Sequence, residues 1–141
     1  MTAALFDLAH HALGRPDGPH VKPYRNYFAT DAGSAEAQAF AESPFWMRNG
    51  KESPGGLAYF HVTDAGIAAV WKWLREKQEA KGLRAYTVRV WWDELELPSE
   101  RHVVAKSRGA AKYSAFLSVS DTWPELTFRR FCAFRIQVRG R

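Results

Sequence analysis

The sequence predicts an α+β protein in two parts, and two features of the residue pattern support this fold class. Between residues 45 and 81, a turn-rich segment separates two short apolar runs and leads into an amphipathic helix. At Gly82 the spacing of apolar residues changes from about 3.6, typical of helices, to about 2, typical of strands. We therefore predict a first domain over residues 1–82 and a second domain over residues 83–141 with the element order β-β-α-β.

The first part is centred on a predicted hairpin that leads into a helix. One apolar run ends at Met47, another resumes at Leu57, and the turn sequences NG and PGG lie between them. Thr63 provides an N-cap for the helix, and Gly82 stands where a left-handed C-cap is expected. One face of the helix carries Ile67, Val70, Trp71 and Leu74. This spacing predicts a helix over residues 64–81.

Shorter helices are expected before the hairpin. Thr2 caps a first helix that ends at Gly14, and Ser34 begins a second helix that runs to Glu42. The aromatic residues of segment 24–28 indicate one helical turn between them. The short helix that ends at Glu42, followed by a hairpin and a further helix, is the order of a winged-helix domain, so we predict a winged-helix-like first part.

The second part is expected to mix strands with one longer helix. The predicted elements are strands over residues 84–92 and 101–106, a helix over 107–119, a helical turn at 128–131 and a strand over 132–139. In the last strand Cys132 has the same parity as Phe134 and Ile136. We therefore expect a buried, unreactive thiol at Cys132.

The formal net charge of +5 resides entirely in the second part. Residues 1–82 hold nine Lys or Arg and nine Asp or Glu, whereas residues 83–141 hold eleven and six. A basic surface of this kind favours an acidic partner, either nucleic acid or an acidic protein face.

The alternation of the second part predicts where that partner binds. Arg89, Arg135 and Arg139 point away from the apolar residues of their own strands, so pairing of these strands would gather them into a stripe. Arginine pairs bidentately with carboxylates or phosphates and stacks on aromatic rings. The predicted partner-binding residues are Arg89, Trp91, Lys106, Arg129, Arg130, Arg135 and Arg139. The hairpin offers a second candidate surface at Trp46, Arg48 and Lys51.

Two tryptophans leave alternatives open. Trp73 lies off the apolar face of its helix, and Trp91 points opposite to the apolar residues of its strand. Either both pack between the two parts, which we favour, or they form an exposed aromatic patch of the kind found at interface hot spots.

No residue pattern points to catalysis. His10 and His11 are adjacent and would diverge by about 100° on a helix, which prevents joint chelation. The sequence contains neither HExxH nor CxxC. The acidic residues of segment 93–100 are expected to form a solvated turn. We expect no enzyme activity, no metal and no cofactor, and no catalytic role for His10, His11, His20, His61, His102 or Cys132.

Sequence-specific binding of duplex DNA is also not expected. The second helix, SAEAQAFAE, is the candidate recognition helix and contains no Lys or Arg. Its only candidate base reader is Gln38, and its carboxylates would repel phosphates.

The sequence favours a cytoplasmic location. No apolar run reaches the roughly 18 residues of a membrane span, the N-terminus lacks a signal-peptide pattern, and a single cysteine agrees with a reducing compartment.

Three segments carry a resemblance to small phage and prophage proteins. RNYF at Arg25–Phe28, GGLAYFHVTDAG at Gly55–Gly66 and AKSRGAAKYSAFL at Ala105–Leu117 resemble such sequences. The resemblance implies a phage-type accessory protein of the bacterial cytoplasm, a class that includes transcriptional regulators and inhibitors of host defence such as anti-CRISPR proteins. We expect a non-enzymatic protein that engages a host protein or nucleoprotein complex with an acidic surface. The alternative is a winged-helix DNA-binding transcriptional regulator.

Overall fold

A computed structural model describes residues 1–19 and 21–140, and these residues form a mixed α+β protein. Within them lie five helices and two three-stranded antiparallel sheets. In chain order the elements are α1 (Ala3–Ala12), β1 (Phe28–Asp31), α2 (Ala35–Glu42), β2 (Trp46–Asn49), β3 (Leu57–Val62), α3 (Asp64–Ala80), β4 (Arg84–Trp91), β5 (Ser99–Ala105), α4 (Arg108–Ser120), α5 (Phe128–Phe131) and β6 (Arg135–Gly140).

The chain divides into two compact units, Met1–Glu76 and Lys77–Arg141. The division falls inside α3, whereas the residue pattern placed the domain boundary at the glycine that ends this helix. Gly82 does adopt a left-handed conformation, with φ of 72°. The amide of Leu83 donates to the carbonyl of Gln78 at 2.9 Å, which closes the helix end.

The first unit is built on a sheet with the strand order β1-β3-β2. The predicted hairpin is present, since β2 pairs antiparallel with β3. Phe40 of α2 stacks on Trp46 and lies edge-to-face with Phe60, with ring centroids 4.0 Å and 5.3 Å apart. Phe60 and Phe40 are fully buried, so α2 packs on one face of this sheet through Phe40.

The helical turn predicted for segment 24–28 is wrong. Phe28 begins β1, which pairs with the central strand β3 instead. Just before it, the Asn26 side chain accepts from the Val62 amide and donates to the Val62 carbonyl, both at 2.8 Å. Asn26 thereby takes the place of a backbone partner, and this non-local pairing keeps the segment extended.

The start of α3 explains why the sequence reads TDAG. Thr63 caps the helix, because its hydroxyl accepts from the amide of Gly66 at 3.2 Å. A side chain at Gly66 would meet the carbonyl oxygen of Phe45 and the side chain of Val62. Only glycine therefore lets α3 begin so close to the sheet.

The second unit has the strand order β5-β4-β6, with α4 and the short α5 packed on one face. Its elements follow the predicted β-β-α-β order, and the helical turn predicted at 128–131 is present as α5 before the last strand. The core includes Val88 and Phe131, which are both fully buried. The prediction of a buried Cys132 is wrong, because this residue is exposed and ends α5, while β6 begins only at Arg135.

Candidate functional site

Strand pairing in the second unit brings arginines from two strands onto one face of the sheet. Trp91 lies directly opposite Arg135, and Arg89 lies opposite Gln137. Arg139 lies opposite Thr87, which has the same parity as Arg89 and Trp91. Directly opposed residues point to the same side of an antiparallel sheet. Arg89, Trp91, Arg135 and Arg139 therefore share a face, which we call the arginine face, as the alternation predicted.

The opposite side of the same sheet is apolar and carries the helices. Its residues are Tyr86, Val88, Val90, Ile136 and Val138, all of which belong to or pack against the core of the second unit. Successive side chains of a strand point to opposite sides of the sheet. Because the apolar residues point to the buried side, the residues between them point to the other side and form the arginine face.

At one end of the arginine face, an arginine stacks on a tryptophan. The guanidinium carbon of Arg135 lies 4.4 Å from the centroid of the Trp91 ring. This distance is well within the roughly 6 Å over which a cation is attracted to an aromatic face. Arg135 also lies 3.8 Å from a carboxylate oxygen of Glu94, yet its side chain remains 61% exposed. The pair is therefore oriented but accessible.

Arg89 is engaged within the sheet. Its Nε donates to Glu100 Oε2 at 2.7 Å, and its side chain is 39% exposed. The other carboxylate oxygen of Glu100 lies 3.3 Å from His102 Nε2. Cross-strand pairing of β4 and β5 produces this arrangement, since Arg89 lies directly opposite Glu100. Its charge is therefore already balanced by a neighbour, in contrast to the charge of Arg139.

Two more residues of the predicted binding set are exposed in the second unit. Arg139 is exposed on β6, and Lys106 is exposed immediately after β5. Among residues 1–19 and 21–140, neither forms an ion pair. They are the basic side chains best placed to meet an acidic partner.

Arg129 and Arg130 do not belong to the arginine face. Both lie on α5, whose Phe131 packs against Phe116 of α4 and against Trp92, with ring centroids 5.6 Å and 5.9 Å apart. The helix thus lies on the apolar side of the sheet. The predicted set of seven partner-binding residues is therefore divided between two surfaces.

The hairpin does not offer the tryptophan expected of it. Trp46 is only 4% exposed and stacks on Phe40, because β2 turns this residue toward the core. Its inclusion in a binding surface is therefore a wrong prediction. Arg48 and Lys51 are exposed, as expected for the tip of the hairpin.

Trp73 packs on the first helix of its own unit. Its ring stacks on Phe6 at 5.5 Å between centroids and with planes only 5° apart, and it lies edge-on to His10 at 6.1 Å. Contact with α1 accounts for its position off the apolar stripe of α3.

The described histidines have structural partners. His10 Nε2 lies 2.8 Å from the carbonyl oxygen of Pro16, His61 bonds to Asn49, and His102 lies 3.2 Å from the Thr87 hydroxyl. Within residues 1–19 and 21–140, no cluster of three or more His, Cys, Asp or Glu side chains is arranged to hold a metal ion. His20 lies outside the described residues.

Sequence reasoning missed the acidic partners of the arginine face. Glu94 and Glu100 were expected to belong to a solvated turn, but each lies beside an arginine of the adjoining strands. The available signal was the hairpin between β4 and β5, whose alternation places Glu100 on the side of Arg89. The interaction of Glu94 with Arg135 had no local signal, since β6 is distant in sequence.

Neither a known protein family, nor a curated protein, nor a solved structure matches this chain. In the described part of the chain, no helix combines the length and the apolar character needed to cross a membrane.

Proposed function

We propose that this protein acts by binding, without catalysis, and that the arginine face contacts an acidic surface of a host protein or nucleoprotein complex. The carrying observation is the pairing of β4 with β6, which places exposed Arg135 over Trp91 and exposed Arg139 farther along the same face of the sheet. A planar guanidinium that rests on an aromatic ring is pre-oriented for bidentate contact with a carboxylate or phosphate. Arginine and tryptophan are also the residues most enriched at interface hot spots.

The resemblance to phage proteins supports a partner in the bacterial cytoplasm. It rests on Arg25–Phe28, Gly55–Gly66 and Ala105–Leu117. Inhibition of a host defence system, of which CRISPR-Cas is one example, is the role we propose for such a complex.

A winged-helix DNA-binding regulator is the second candidate. The strand order β1-β3-β2 and the hairpin that leads into α3 favour a winged-helix-like first unit. The candidate recognition helix α2 argues against DNA recognition. Gln38 donates to Glu42 at 3.0 Å, and Glu36 accepts from the Thr30 hydroxyl at 2.7 Å, so α2 presents carboxylates and no cation. We therefore rank this function second.

The experiment is a pull-down from bacterial lysate with the tagged protein, performed with and without nuclease. The binding variant carries Arg135→Glu and Arg139→Glu, and a matched control carries Arg101→Glu and Arg108→Glu. Arg101 is exposed on β5 with the opposite parity, and Arg108 is exposed at the start of α4. The control thus makes the same charge change away from the arginine face.

We expect a protein partner that wild type and control retain in the presence of nuclease, and that the binding variant loses. Equal retention by both variants would overturn the assignment of the arginine face. Retention that depends on intact DNA, together with a defined operator from gel-shift selection, would favour the regulator instead. Specific complexes exceed random DNA by about a thousandfold or more, which makes this outcome distinct.

A further inference from the structure

The loop between β4 and β5 exposes two leucines almost completely. Leu95 is 95% exposed and Leu97 is 93% exposed. They alternate with Asp93, Glu94 and Glu96, and we call residues 93–98 the acidic loop. Leu95 and Leu97 are separated by one residue, and together they offer apolar side chains that a partner could bury.

The acidic loop is held in a defined conformation. The amide of Leu95 is 3.0 Å from Asp93 Oδ1, and the amide of Glu96 is 3.2 Å from the Asp93 carbonyl oxygen. At its far end, the Trp92 indole donates to the Ser99 hydroxyl at 2.9 Å. The leucines are therefore presented by an ordered turn, which lowers the entropic cost of docking them.

The helical layer of the same unit carries a second exposed apolar surface. Tyr113 and Leu117 lie one turn apart on α4, and Phe128 of α5 lies edge-on to Tyr113 with ring centroids 5.2 Å apart. All three side chains are exposed. Arg129 follows Phe128 directly and is also exposed. We call these four residues the helical patch.

The two surfaces are complementary in chemistry. One combines exposed leucines with three carboxylates, and the other combines exposed aromatic and aliphatic side chains with an arginine. Within one copy of the chain they do not bury each other, because both remain exposed. An apolar contact rimmed by opposite charges is the usual anatomy of a specific interface.

We propose that the acidic loop of one copy of this chain docks on the helical patch of a second copy. The contact uses different surfaces on the two partners, so one copy keeps a free patch and the other keeps a free loop. Such heterologous contacts add further copies and produce rings or open chains. The acidic loop adjoins the arginine face, since Glu94 lies 3.8 Å from Arg135, but this self-association docks no residue of the arginine face and does not depend on the proposed function.

The test measures mass against concentration by sedimentation equilibrium. The loop variant carries Leu95→Ser and Leu97→Ser, and the patch variant carries Leu117→Glu, which also opposes the acidic loop. Met47→Glu is the matched control, since Met47 is an exposed apolar residue of the first unit. Circular dichroism checks that each variant is folded, and Arg129→Glu replaces the patch variant if Leu117→Glu unfolds.

For the wild type and the control, we expect an average mass that rises above the monomer as concentration increases. Each single-surface variant should lower the association constant by about tenfold or more. A mixture of loop and patch variants should form a dimer that grows no further, because only one matched pair of surfaces remains. A monomeric wild type, unchanged association of the loop variant, or absence of the mixed dimer would each overturn the proposal.

Discussion

Trp46 and Trp91 both occupy strand positions in small three-stranded sheets, yet they serve opposite purposes. Trp46 lies opposite buried Val62 and stacks on Phe40 in the core of the first unit. Trp91 lies opposite exposed Arg135, which covers its ring from the solvent side. The residue across the strand therefore indicates where a tryptophan points better than its neighbours in sequence do.

The same contrast separates the two candidate surfaces. In the hairpin, Trp46 and Arg48 are close in sequence, but only Arg48 is exposed. In the arginine face, Trp91 and Arg135 are distant in sequence and meet through strand pairing. The arginine face is thus brought together by strand pairing, whereas local composition wrongly added Trp46 to the hairpin surface.

The largest effect should come from truncating the two tryptophans. Trp46→Ala removes a buried ring and is expected to destabilise the first unit by about 3–5 kcal/mol. Trp91→Ala should cost less, about 1–2 kcal/mol, since Trp91 is only partly buried and the Arg135 guanidinium stacks on its ring. Urea denaturation followed by circular dichroism measures both. An equal loss of unfolding free energy in the two variants would contradict the distinction between a core tryptophan and a partly exposed one.

A smaller loss of stability is expected when the Asn26 side chain, which holds β1 in place, is removed. Asn26→Ala removes both hydrogen bonds to Val62 and leaves the amide and carbonyl of Val62 without these partners. We expect the free energy of unfolding to fall by about 2 kcal/mol. Asn49→Ala is the control, because the Asn49 side chain is exposed and bonds to another side chain, that of His61. Chemical denaturation of both variants gives the difference, and a cost no larger for Asn26 than for Asn49 would contradict this role.

The smallest expected change in stability distinguishes Arg89 from Arg139 within the arginine face. Arg89→Glu places a carboxylate beside Glu100 and should lower stability by about 1 kcal/mol, as expected for a partly exposed charge reversal. Arg139→Glu should leave the thermal midpoint nearly unchanged. Differential scanning calorimetry compares the two. Because Arg89→Glu is expected to lower stability, Arg89 is left unchanged in the binding variant. A loss of binding by that variant then does not result from a loss of folding.

Elements with strong local signals could be predicted from the sequence. The turn residues of the hairpin, the Thr63 cap and the left-handed Gly82 all act within a few residues, and the structure has each of them where it was expected. The order of elements in the second unit followed from the same kind of pattern.

Features set by distant residues could not be predicted. Strand β1 depends on pairing with β3 and on the bonds of Asn26 to Val62, so its short sequence resembled a helical turn. Cys132 was assigned strand parity, but α5 ends at that point and the alternation starts only at Arg135. The arginine face itself was predictable because alternation is local, whereas the acidic partners of its arginines depend on which strands pair.

The most direct test of the arginine face is the affinity of the purified partner, measured by titration calorimetry. Wild type is compared with Arg135→Glu/Arg139→Glu and with the control Arg101→Glu/Arg108→Glu. We predict that the first double variant loses about a hundredfold in affinity, roughly 2.7 kcal/mol, while the control stays within about threefold of wild type. Wild-type affinity in a folded Arg135→Glu/Arg139→Glu variant would contradict the assignment of binding to this face.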